Sequence, residues 1–561
     1  MNIFRILFSQ TIVVALIGCF ISVAAHYFVE GIKFFESLRK EDFYTIEIYG
    51  FSINFLIPTL LIFSYILVLF LRHFGDVKKW ESPADIIYCA QNQRNELPPK
   101  TGLLTILASF VSLAGGAPLG QYGPLVHLGG TFGLLLSRWY RSLWLKRDVI
   151  VGCCIAAAIS AGFNAPIAGI IFAHEAVLRH FSARAIALIS IASISASALN
   201  QTLFETFLIF EITEKFTFKS EMVVASLISG VVCGMSAILI IRSLFFVNKI
   251  NSISKKISIC LSVFGMIYLL ALSQFLPEVL GLGIGVINNL ISEVKTFEML
   301  TILLIAKLTA VVLSANIGFS GGFVGPALFV GALLGALLTH LAAAFGFFTL
   351  DVMLIIAGAA SVAGTVFGAP LAMVILVLEL TNSYDLTIAA MLSIVMASLV
   401  FHLLYGHSLF DLQLLVRGVD LTKGRIFLEL ESTKIASLAT DEALIFLPET
   451  KGKKIFEEMK KYEKTEAYCV TKDEIFIGKL AIFDVVTNKN KSALDLANSN
   501  CLKLFHSQSI NDAIKIAANF VGEGIPIINE NNHRFLGIVS ESHLFEEYLS
   551  VADKVREIET A

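Results

Sequence analysis

The chain has 561 residues, of which 56% are hydrophobic and only 16% charged, and its mean hydropathy is +0.77. A soluble globular domain carries about 25% charged residues, so this composition excludes a wholly soluble protein. The net charge of −3 gives no support to nucleic acid as a partner, and we expect the lipid bilayer to be one.

Seven apolar stretches approach or exceed the roughly 20 residues that cross a hydrocarbon core. In chain order they are 6–29, 51–71, 102–136, 222–247, 257–275, 299–345 and 388–404. The first is too long for the apolar part of an ordinary signal peptide and has no clear small-residue cleavage site, so we interpret it as the first membrane helix. The sequence therefore predicts a multi-pass helical membrane protein.

Glycine and proline interrupt two of these stretches. Residues 113–124 hold four glycines and two prolines, and residues 318–326 hold four glycines and one proline. Since Gly costs about 1 and Pro about 3 kcal/mol in a helix interior, each cluster marks a helix end inside the membrane. Two facing helix N-termini, with their unpaired N–H groups and positive dipole ends, would form a site for a dehydrated anion. Alternatively, the glycines only allow close helix packing.

The same region is duplicated. Residues 163–168 (FNAPIA) and 367–372 (FGAPLA) are near-identical, and a glutamate, Glu175 or Glu379, lies nine residues after the proline of each. In membrane proteins, duplications of this kind usually place a solute site between the repeats, which makes transport the leading hypothesis. The matched positions of the two glutamates favour capping or structural hydrogen bonding over a transport role.

The composition changes near residues 416–423, where a charged region with short apolar segments begins. Residues 476–484 and 535–543 each contain a turn glycine, a short strand and the start of a helix. Two units of about sixty residues would form one compact domain. We expect a membrane domain at 1–417 and a soluble domain at 418–561.

Basic residues flank several apolar stretches, namely Arg5, Lys78, Lys79, Lys146, Arg147, Lys255 and Lys256. Because such residues concentrate on the cytoplasmic side, we expect a cytoplasmic N-terminus in an inner or plasma membrane. The soluble domain is rich in lysine and has no disulfide pattern, which agrees with a cytoplasmic location.

The eight cysteines show no CxxC spacing or Cys/His cluster, so no metal site is expected. No nucleophile and base pair or phosphate loop indicates an enzyme.

The break motifs resemble those of a known family. Residues 120–124 (GQYGP) are similar to G-[KR]-E-G-P, 321–326 (GGFVGP) to G-G-x-F-x-P, and 163–169 to F-N-A-P-x-A-G of CLC chloride channels and transporters. Residues 280–283 and the C-terminal pair, which looks like tandem CBS motifs, agree with this. The resemblance implies an all-α polytopic membrane domain of inverted repeats, followed by a small α/β CBS-pair domain. It also implies a homodimer with one anion pathway per subunit.

Three departures from the family pattern concern the gate and the proton route. The family's gating glutamate falls on Tyr122, the basic residue before it on Gln121, and the inward-facing glutamate of proton-coupled members on Ala176. A tyrosine of pKa about 10 is neutral at pH 7, so it cannot act as a tethered anion, although it can donate a hydrogen bond or obstruct the path. These losses favour an uncoupled chloride channel. The alternative is a secondary active anion/proton antiporter, or a transporter of another anion such as fluoride, nitrate or bicarbonate. A nucleotide sensor with a membrane anchor fits the duplicated breaks poorly.

The resemblance implies eight anion-binding candidates, with Tyr122 as the gate: Ser82, Gly120, Gln121, Tyr122, Gly123, Phe323, Val324 and Phe410. The family's coordinating tyrosine aligns with Phe410, so Tyr122 is a candidate for the hydroxyl that Phe410 lacks, although packing alone explains both. In the second break the family's phenylalanine falls on Val324, with Phe323 one place early.

The family's serine ligand has two possible positions. Alignment on Pro83 puts Trp80 there, and alignment on the hydroxyl puts Ser82 there, which we favour. Lys307 lies in an apolar stretch, where it would either attract anions or extend to an interface.

The CBS-like units match the pattern of nucleotide-binding CBS pairs only in part. In nucleotide-binding CBS pairs a Thr or Ser and an Asp three residues later often contact the ribose. Here the first unit has Ala481 and Asp484, and the second has Ser540 and His543, so each keeps half of the pair. Adenine nucleotide binding therefore stays open beside a structural, dimer-stabilising role, and no other cofactor is expected.

Overall fold

The computed structural model describes residues 2–40, 44–48, 51–92, 97–140, 145–204, 216–251, 254–293, 295–346 and 351–560. It divides into two compact units, Met1–Val419 and Asp420–Ala561. The division lies two residues beyond the boundary expected from the sequence.

The first unit is mainly helical. Its α-helices are α1 (Asn2–Arg39), α2 (Leu56–Gly75), α3 (Pro83–Gln91), α4 (Pro99–Ala114), α5 (Tyr122–Trp139), α6 (Arg147–Phe163), α7 (Pro166–Phe172), α8 (Ala183–Leu203), α9 (Ser220–Asn251), α10 (Lys255–Phe275), α11 (Ile284–Ser292), α12 (Phe297–Ile317), α13 (Val324–Ala344), α14 (Asp351–Phe367), α15 (Pro370–Thr381), α16 (Tyr384–Leu404) and α17 (Leu409–Leu415). A π-helical turn follows α7 at Ala173–Leu178, and a 3-10 turn precedes α11 at Pro277–Val279. Within the described residues, eight helical segments are long and apolar enough to cross a membrane.

The breaks divide two predicted stretches as expected. Residues 102–136 fall in α4 and α5, and residues 299–345 fall in α12 and α13. The spanning helix α8 was missing from the sequence prediction. Its mean hydropathy is 1.4, against 2.3 for α1, because alanine and serine occupy many of its positions.

A short antiparallel hairpin, β1 (Thr45–Ile48) and β2 (Phe51–Asn54), lies between α1 and α2. The prediction that a membrane span begins at residue 51 is wrong, because α2 begins at Leu56. The side chain of Asn54 accounts for the later helix start, because its Oδ1 accepts hydrogen bonds from the backbone N–H groups of Leu56 and Ile57, at 2.9 and 3.2 Å. These bonds satisfy two donors of the first helical turn.

The second unit contains two similar halves. Its helices are α18 (Arg425–Ser432), α19 (Gly452–Lys461), α20 (Ile482–Thr487), α21 (Ala493–Leu496), α22 (Ile510–Ala517) and α23 (Glu541–Thr560). Its strands are β3 (Ile445–Phe446), β4 (Glu466–Val470), β5 (Phe476–Ala481), β6 (Leu504–Phe505), β7 (Ile525–Ile528) and β8 (Phe535–Val539). The sheets have the orders β3-β4-β5 and β6-β7-β8, each with one parallel and one antiparallel pairing. Equivalent strands begin 59 residues apart (525 − 466 and 535 − 476), so the predicted doubling is confirmed.

Candidate anion site

The two glycine-rich breaks meet each other. The N–H of Gly120 donates to the carbonyl of Gly322, and the N–H of Gly322 donates to the carbonyl of Gly120, both at 2.7 Å. These bonds form an isolated antiparallel bridge. Each glycine lies two residues before a helix start, at Tyr122 of α5 and Val324 of α13. The N-termini of α5 and α13 therefore lie side by side.

Glycine is required because the two backbones touch. A Cβ on Gly120 would lie 2.6 Å from the nitrogen of Gly325, and a Cβ on Gly123 would lie 2.7 Å from the Cα of Gly322. Real Cβ atoms do not approach other heavy atoms so closely. The glycines thus serve close packing, and this packing is what brings the two helix N-termini together.

Two other helices begin at the repeated proline motifs, and both are capped by glutamate. Glu379 accepts hydrogen bonds from the N–H groups of Ile167 and Ala168 in α7, both at 2.8 Å. Glu175 accepts them from Leu371 and Ala372 in α15, at 3.0 and 2.8 Å. Donors and acceptors are related by the same offset of 204 residues (379 − 175 and 371 − 167). The predicted capping role is confirmed, with each cap supplied by the other repeat.

Within the described parts of the chain, the N-termini of α5 and α13 carry no such cap. No side chain there accepts a hydrogen bond from the first-turn N–H groups of either helix, whether it belongs to the N-cap residue or to the other repeat. The first-turn N–H groups of Tyr122, Gly123, Val324 and Gly325 have no partner within their helices. The positive dipole ends of these two helices are therefore not neutralised by a carboxylate of the kind that caps α7 and α15.

Tyr122 borders two narrow cavities next to this crossing. Its ring is buried and stacks on Phe163, with centroids 3.5 Å apart and planes 10° apart. Each cavity has a volume of about 20 Å³, and Tyr122, Phe163, Met373 and Leu376 border both. The Tyr122 hydroxyl makes no well-formed hydrogen bond to any described residue, and the side chain of Gln121 is its polar neighbour. The ring is one of four side chains common to both cavity walls, so it is placed to influence passage between the cavities.

Four of the eight candidate residues border one of these cavities together, namely Tyr122, Gly123, Val324 and Phe410. Gly120 forms the bridge between the breaks. Gln121 is buried with its Oε1 unpaired among the described residues, and Phe323 immediately precedes α13. Neither Gln121 nor Phe323 contributes to the cavity walls.

Ser82 lies at the start of α3, outside both cavity walls. Its backbone N–H and its hydroxyl both donate to the Asp85 carboxylate, at 2.7 and 3.0 Å. The indole of Trp80 donates to the carbonyl of Gly318 at 3.1 Å, which holds the second break in place. In this arrangement the Ser82 hydroxyl proton is directed to Asp85 and not to an anion. Anion binding by Ser82 stays a prediction.

Comparison with known proteins now identifies the family. The sequence profile described as "Voltage gated chloride channel" matches residues 59–402, which is more than half of the chain. The chain belongs to this CLC family. The CBS domain profile matches residues 493–550, and with the doubled sheets it supports a C-terminal CBS pair. The CLC chain is therefore an integral, multi-pass membrane protein.

Individual relatives are distant. The chain is 27% identical over 322 residues to the "H(+)/Cl(-) exchange transporter ClcA" of Cronobacter sakazakii, covering 54% of this chain and 66% of that protein. The chain spans 73% of the length of a relative from Ralstonia nicotianae and 64% of one from Methanocaldococcus jannaschii. A slow cyanobacterial Cl−/H+ antiporter structure has a TM-score of 0.64 at 18% identity, over 73% of this chain and 98% of that one. A eukaryotic CLC transporter structure has a TM-score of 0.61 at 15% identity, over 96% of this chain and 98% of that one. These two structures show the fold.

A largely buried acid beside the crossing, Glu81, was not predicted from the sequence. Glu81 Oε2 lies 3.8 Å from Nε2 of His127, and the side chains are 13% and 2% exposed. Glu81 Oε2 has no hydrogen-bond partner among the described residues. The only local signals were a carboxylate next to Ser82 and a histidine in the apolar helix α5. Their proximity depends on the packing of α3 against α5.

Lys307 on α12 is completely buried, so it does not extend to an interface. Its Nζ donates to the carbonyls of Val279 and Gly281, at 2.8 and 3.2 Å, and lies 4.7 Å from the ring centroid of Phe329. The lysine therefore holds residues 279–281 in place as a structural donor.

Proposed function

We propose that this CLC chain conducts chloride, or a similar small monovalent anion, across the membrane. One observation carries the proposal: among the described residues α5 and α13 begin side by side without a capping side chain, whereas α7 and α15 are capped by Glu379 and Glu175. Unpaired N–H groups at a helix start attract anions, so the uncapped pair is the favoured anion site. Membership of the voltage gated chloride channel family supports the same conclusion.

We propose further that the pathway is an uncoupled channel. In the family, the proton route of coupled members uses two glutamates, and their positions here hold Tyr122 and Ala176. Both side chains are buried, at 3% and 4% exposure, and neither exchanges protons near neutral pH. Tyr122 is then the gate, because its ring borders both cavities next to the crossing.

Chloride efflux from proteoliposomes tests this function when external pH is recorded simultaneously. The membrane potential is clamped with potassium and valinomycin, and protein-free vesicles serve as the control. Chloride efflux without proton movement is the expected result. Absence of chloride movement would refute anion transport, and proton movement in a fixed ratio to chloride would refute the uncoupled mechanism alone.

A coupled antiporter is the second candidate, and the Glu81–His127 contact favours it. At 3.8 Å the carboxylate and the imidazole are too far apart for a direct hydrogen bond, but they would attract each other as an ion pair when His127 is protonated, and one bridging water would carry a proton between them. Glu81 directly precedes Ser82, and His127 lies on α5, the helix that begins at Tyr122. The pair therefore offers a proton route that uses neither of the family's glutamate positions. If protons move with chloride, Glu81→Gln and His127→Gln should each abolish proton movement, whereas Glu298→Gln, at an exposed position on α12, should not.

The family resemblance also leads us to propose a homodimer with one pathway per subunit and a cytoplasmic N-terminus and CBS pair. Apolar residues exposed on α8, α15 and α16 offer a face for a second subunit; Ile194, Leu371 and Val395 are 55–57% exposed. Single-molecule photobleaching of labelled protein in liposomes should show two steps.

Protease digestion of the CBS pair only from the cytoplasmic side would support the proposed orientation of the N-terminus and the CBS pair.

For the CBS pair we propose a structural role. Glu466 in the first half accepts hydrogen bonds from the N–H groups of Glu523 and Gly524 in the second half, and its other oxygen pairs with Lys479 at 2.5 Å. Such bonds tie the halves together without a ligand. Thermal unfolding with and without ATP, ADP or AMP tests the role; a stabilisation of several degrees by a nucleotide would show that the pair binds it.

A further inference from the structure

A cavity of about 640 Å³ lies where three long apolar helices end. The end of α1, the start of α2 and the end of α10 border it, through Arg39, Ile57 and Gln274. All three helices are long and apolar enough to cross a membrane, so these helix ends lie near the membrane surface. Ligand sites in proteins commonly have volumes of about 300–1,000 Å³, so the cavity is large enough for a small organic group.

The cavity wall carries charges of both signs. Arg39 and Lys40 provide two cations, and Glu36 and Glu278 provide two carboxylates. The charges of the described wall residues therefore balance, which favours neither a simple anion nor a simple cation as the occupant. A zwitterionic group, which carries one charge of each sign, is complementary to such a wall.

Arg39 and the start of α11 form the positive part of the wall. Arg39 is 7% exposed, and its bond to the carbonyl of Ala114 uses one of the five N–H donors of a guanidinium. Helix α11 begins after Gly283, which borders the cavity and provides no capping side chain. The guanidinium lies beside the loop that precedes α11, since a Cβ on Gly281 would lie 3.3 Å from its Nη2. The other donors of Arg39 and the first N–H groups of α11 can therefore hold one phosphate group together.

Glu36 and Glu278 form the negative part of the wall. Glu36 is bonded to Lys40 through Oε1, at 3.0 Å, and among the described residues its Oε2 has no such bond. Glu278 is paired with Lys295 at 3.0 Å, and its side chain is 35% exposed. A primary ammonium group has three donors, so it can bind Oε2 of Glu36 while both lysine pairs stay intact.

Exposed aromatic side chains adjoin the wall at two of the helix ends. Phe55, just before α2, is 48% exposed, and Phe275, the last residue of α10, is 77% exposed. Their neighbours Asn54 and Gln274 border the cavity and are bonded to each other, at 2.9 and 3.2 Å. Aromatic residues at the ends of membrane helices lie at the level of the lipid headgroups. An acyl chain can therefore contact these rings while its headgroup occupies the cavity.

We propose that this cavity binds the headgroup of a zwitterionic phospholipid, with the phosphate at Arg39 and the start of α11 and the ammonium at Glu36. Phosphatidylethanolamine has this chemistry, because its headgroup joins a phosphate to a primary ammonium. No described residue borders both this cavity and the narrow cavities beside Tyr122. The lipid site is therefore separate from the proposed anion pathway and does not depend on it.

Native mass spectrometry of the full chain in detergent tests the site, with phosphatidylethanolamine and the anionic phosphatidylglycerol as probes. The wild type should bind one phosphatidylethanolamine per chain, about tenfold more tightly than phosphatidylglycerol, because a charge-assisted bond to the ammonium contributes about that factor. Equal binding of the two lipids would overturn the zwitterionic site. Glycerophosphoethanolamine, which has the headgroup without acyl chains, should bind more weakly than the lipid, and equally tight binding would show that the site takes a free solute instead.

Two variants separate the two parts of the wall. Glu36→Gln should lower the affinity for phosphatidylethanolamine about tenfold without weakening phosphatidylglycerol binding, because it removes only the partner of the ammonium. Glu30→Gln is the matched control, since Glu30 also pairs with a lysine on α1 but lies outside the cavity wall. Arg39→Gln should weaken the binding of both lipids, and Arg39→Lys should restore most of it.

Glu36→Gln decides the question alone if Arg39→Gln fails to fold. An unchanged affinity for phosphatidylethanolamine in Glu36→Gln, or an equal loss in Glu30→Gln, would overturn the proposed site.

Discussion

The glutamate caps allow a quantitative prediction. In Glu379→Ala, α7 loses two hydrogen bonds of 2.8 Å to a charged acceptor. Bonds of this kind contribute about 1.5–3 kcal/mol each, so the unrelaxed loss is about 3–6 kcal/mol. Since Ile167 is 50% exposed, the freed N–H groups can rearrange, and we expect a loss near 3 kcal/mol.

Thermal unfolding in detergent, followed by intrinsic fluorescence, measures the effect. We expect Glu379→Ala to lower the midpoint by about 3–6 °C, because large units shift by only one or two degrees per kcal/mol. Glu175→Ala should match it, since its bonds are 3.0 and 2.8 Å. Glu379→Gln, which keeps an uncharged acceptor, should lose about half as much. Glu298→Ala is the control.

Chloride flux through the alanine variants distinguishes a capping role of the glutamates from a transport role. Glu175 lies beside Ala176, where coupled members of the family carry a proton-handling glutamate, so a transport role for Glu175 is the competing explanation. Below the unfolding midpoint, both alanine variants should retain chloride flux. Stability equal to that of Glu298→Ala, or loss of flux in a folded variant, would refute the capping explanation.

Further predictions concern the crossing itself. Tyr122→Ala should raise chloride flux by joining the two cavities of about 20 Å³, whereas the surface variant Tyr268→Ala should not; unchanged flux and affinity would exclude a role as plug or ligand. Gly322→Val should abolish flux and lower the folded yield, because a Cβ there would lie 2.6 Å from the nitrogen of Gly123. Phe410→Tyr should tighten chloride binding in isothermal titration by adding a hydroxyl to the cavity wall, and equal or weaker binding would place the anion elsewhere.

Local chemistry made much of the fold predictable. Glycine and proline disfavour helix continuation wherever they occur, so the breaks before α5 and α13 follow from the sequence alone. The repeated CBS-like phrases likewise predicted the doubling and one strand of each half, β5 and β8. The missed helix α8 shows the limit of hydropathy, because its alanine and serine residues pack against α1 and α6 and lower its apolar signal.

The site was less predictable because its contacts join distant residues. Glu175 and Glu379 were recognised as matched, but only the packing of α7 against α15 shows that each caps the other repeat. Ser82 and Asp85 lie three residues apart, as in a helix capping box. The family alignment led us to predict Ser82 as an anion ligand instead. Arg39 and Glu81 reach their neighbours through helix packing, which no local pattern encodes.

The most direct test of the anion site is anomalous diffraction from crystals grown in bromide, which replaces chloride. The account predicts a bromide peak beside Gly123 and Val324, next to Phe410, at the uncapped starts of α5 and α13. Bromide bound at the starts of α7 and α15, with none at the crossing, would contradict it.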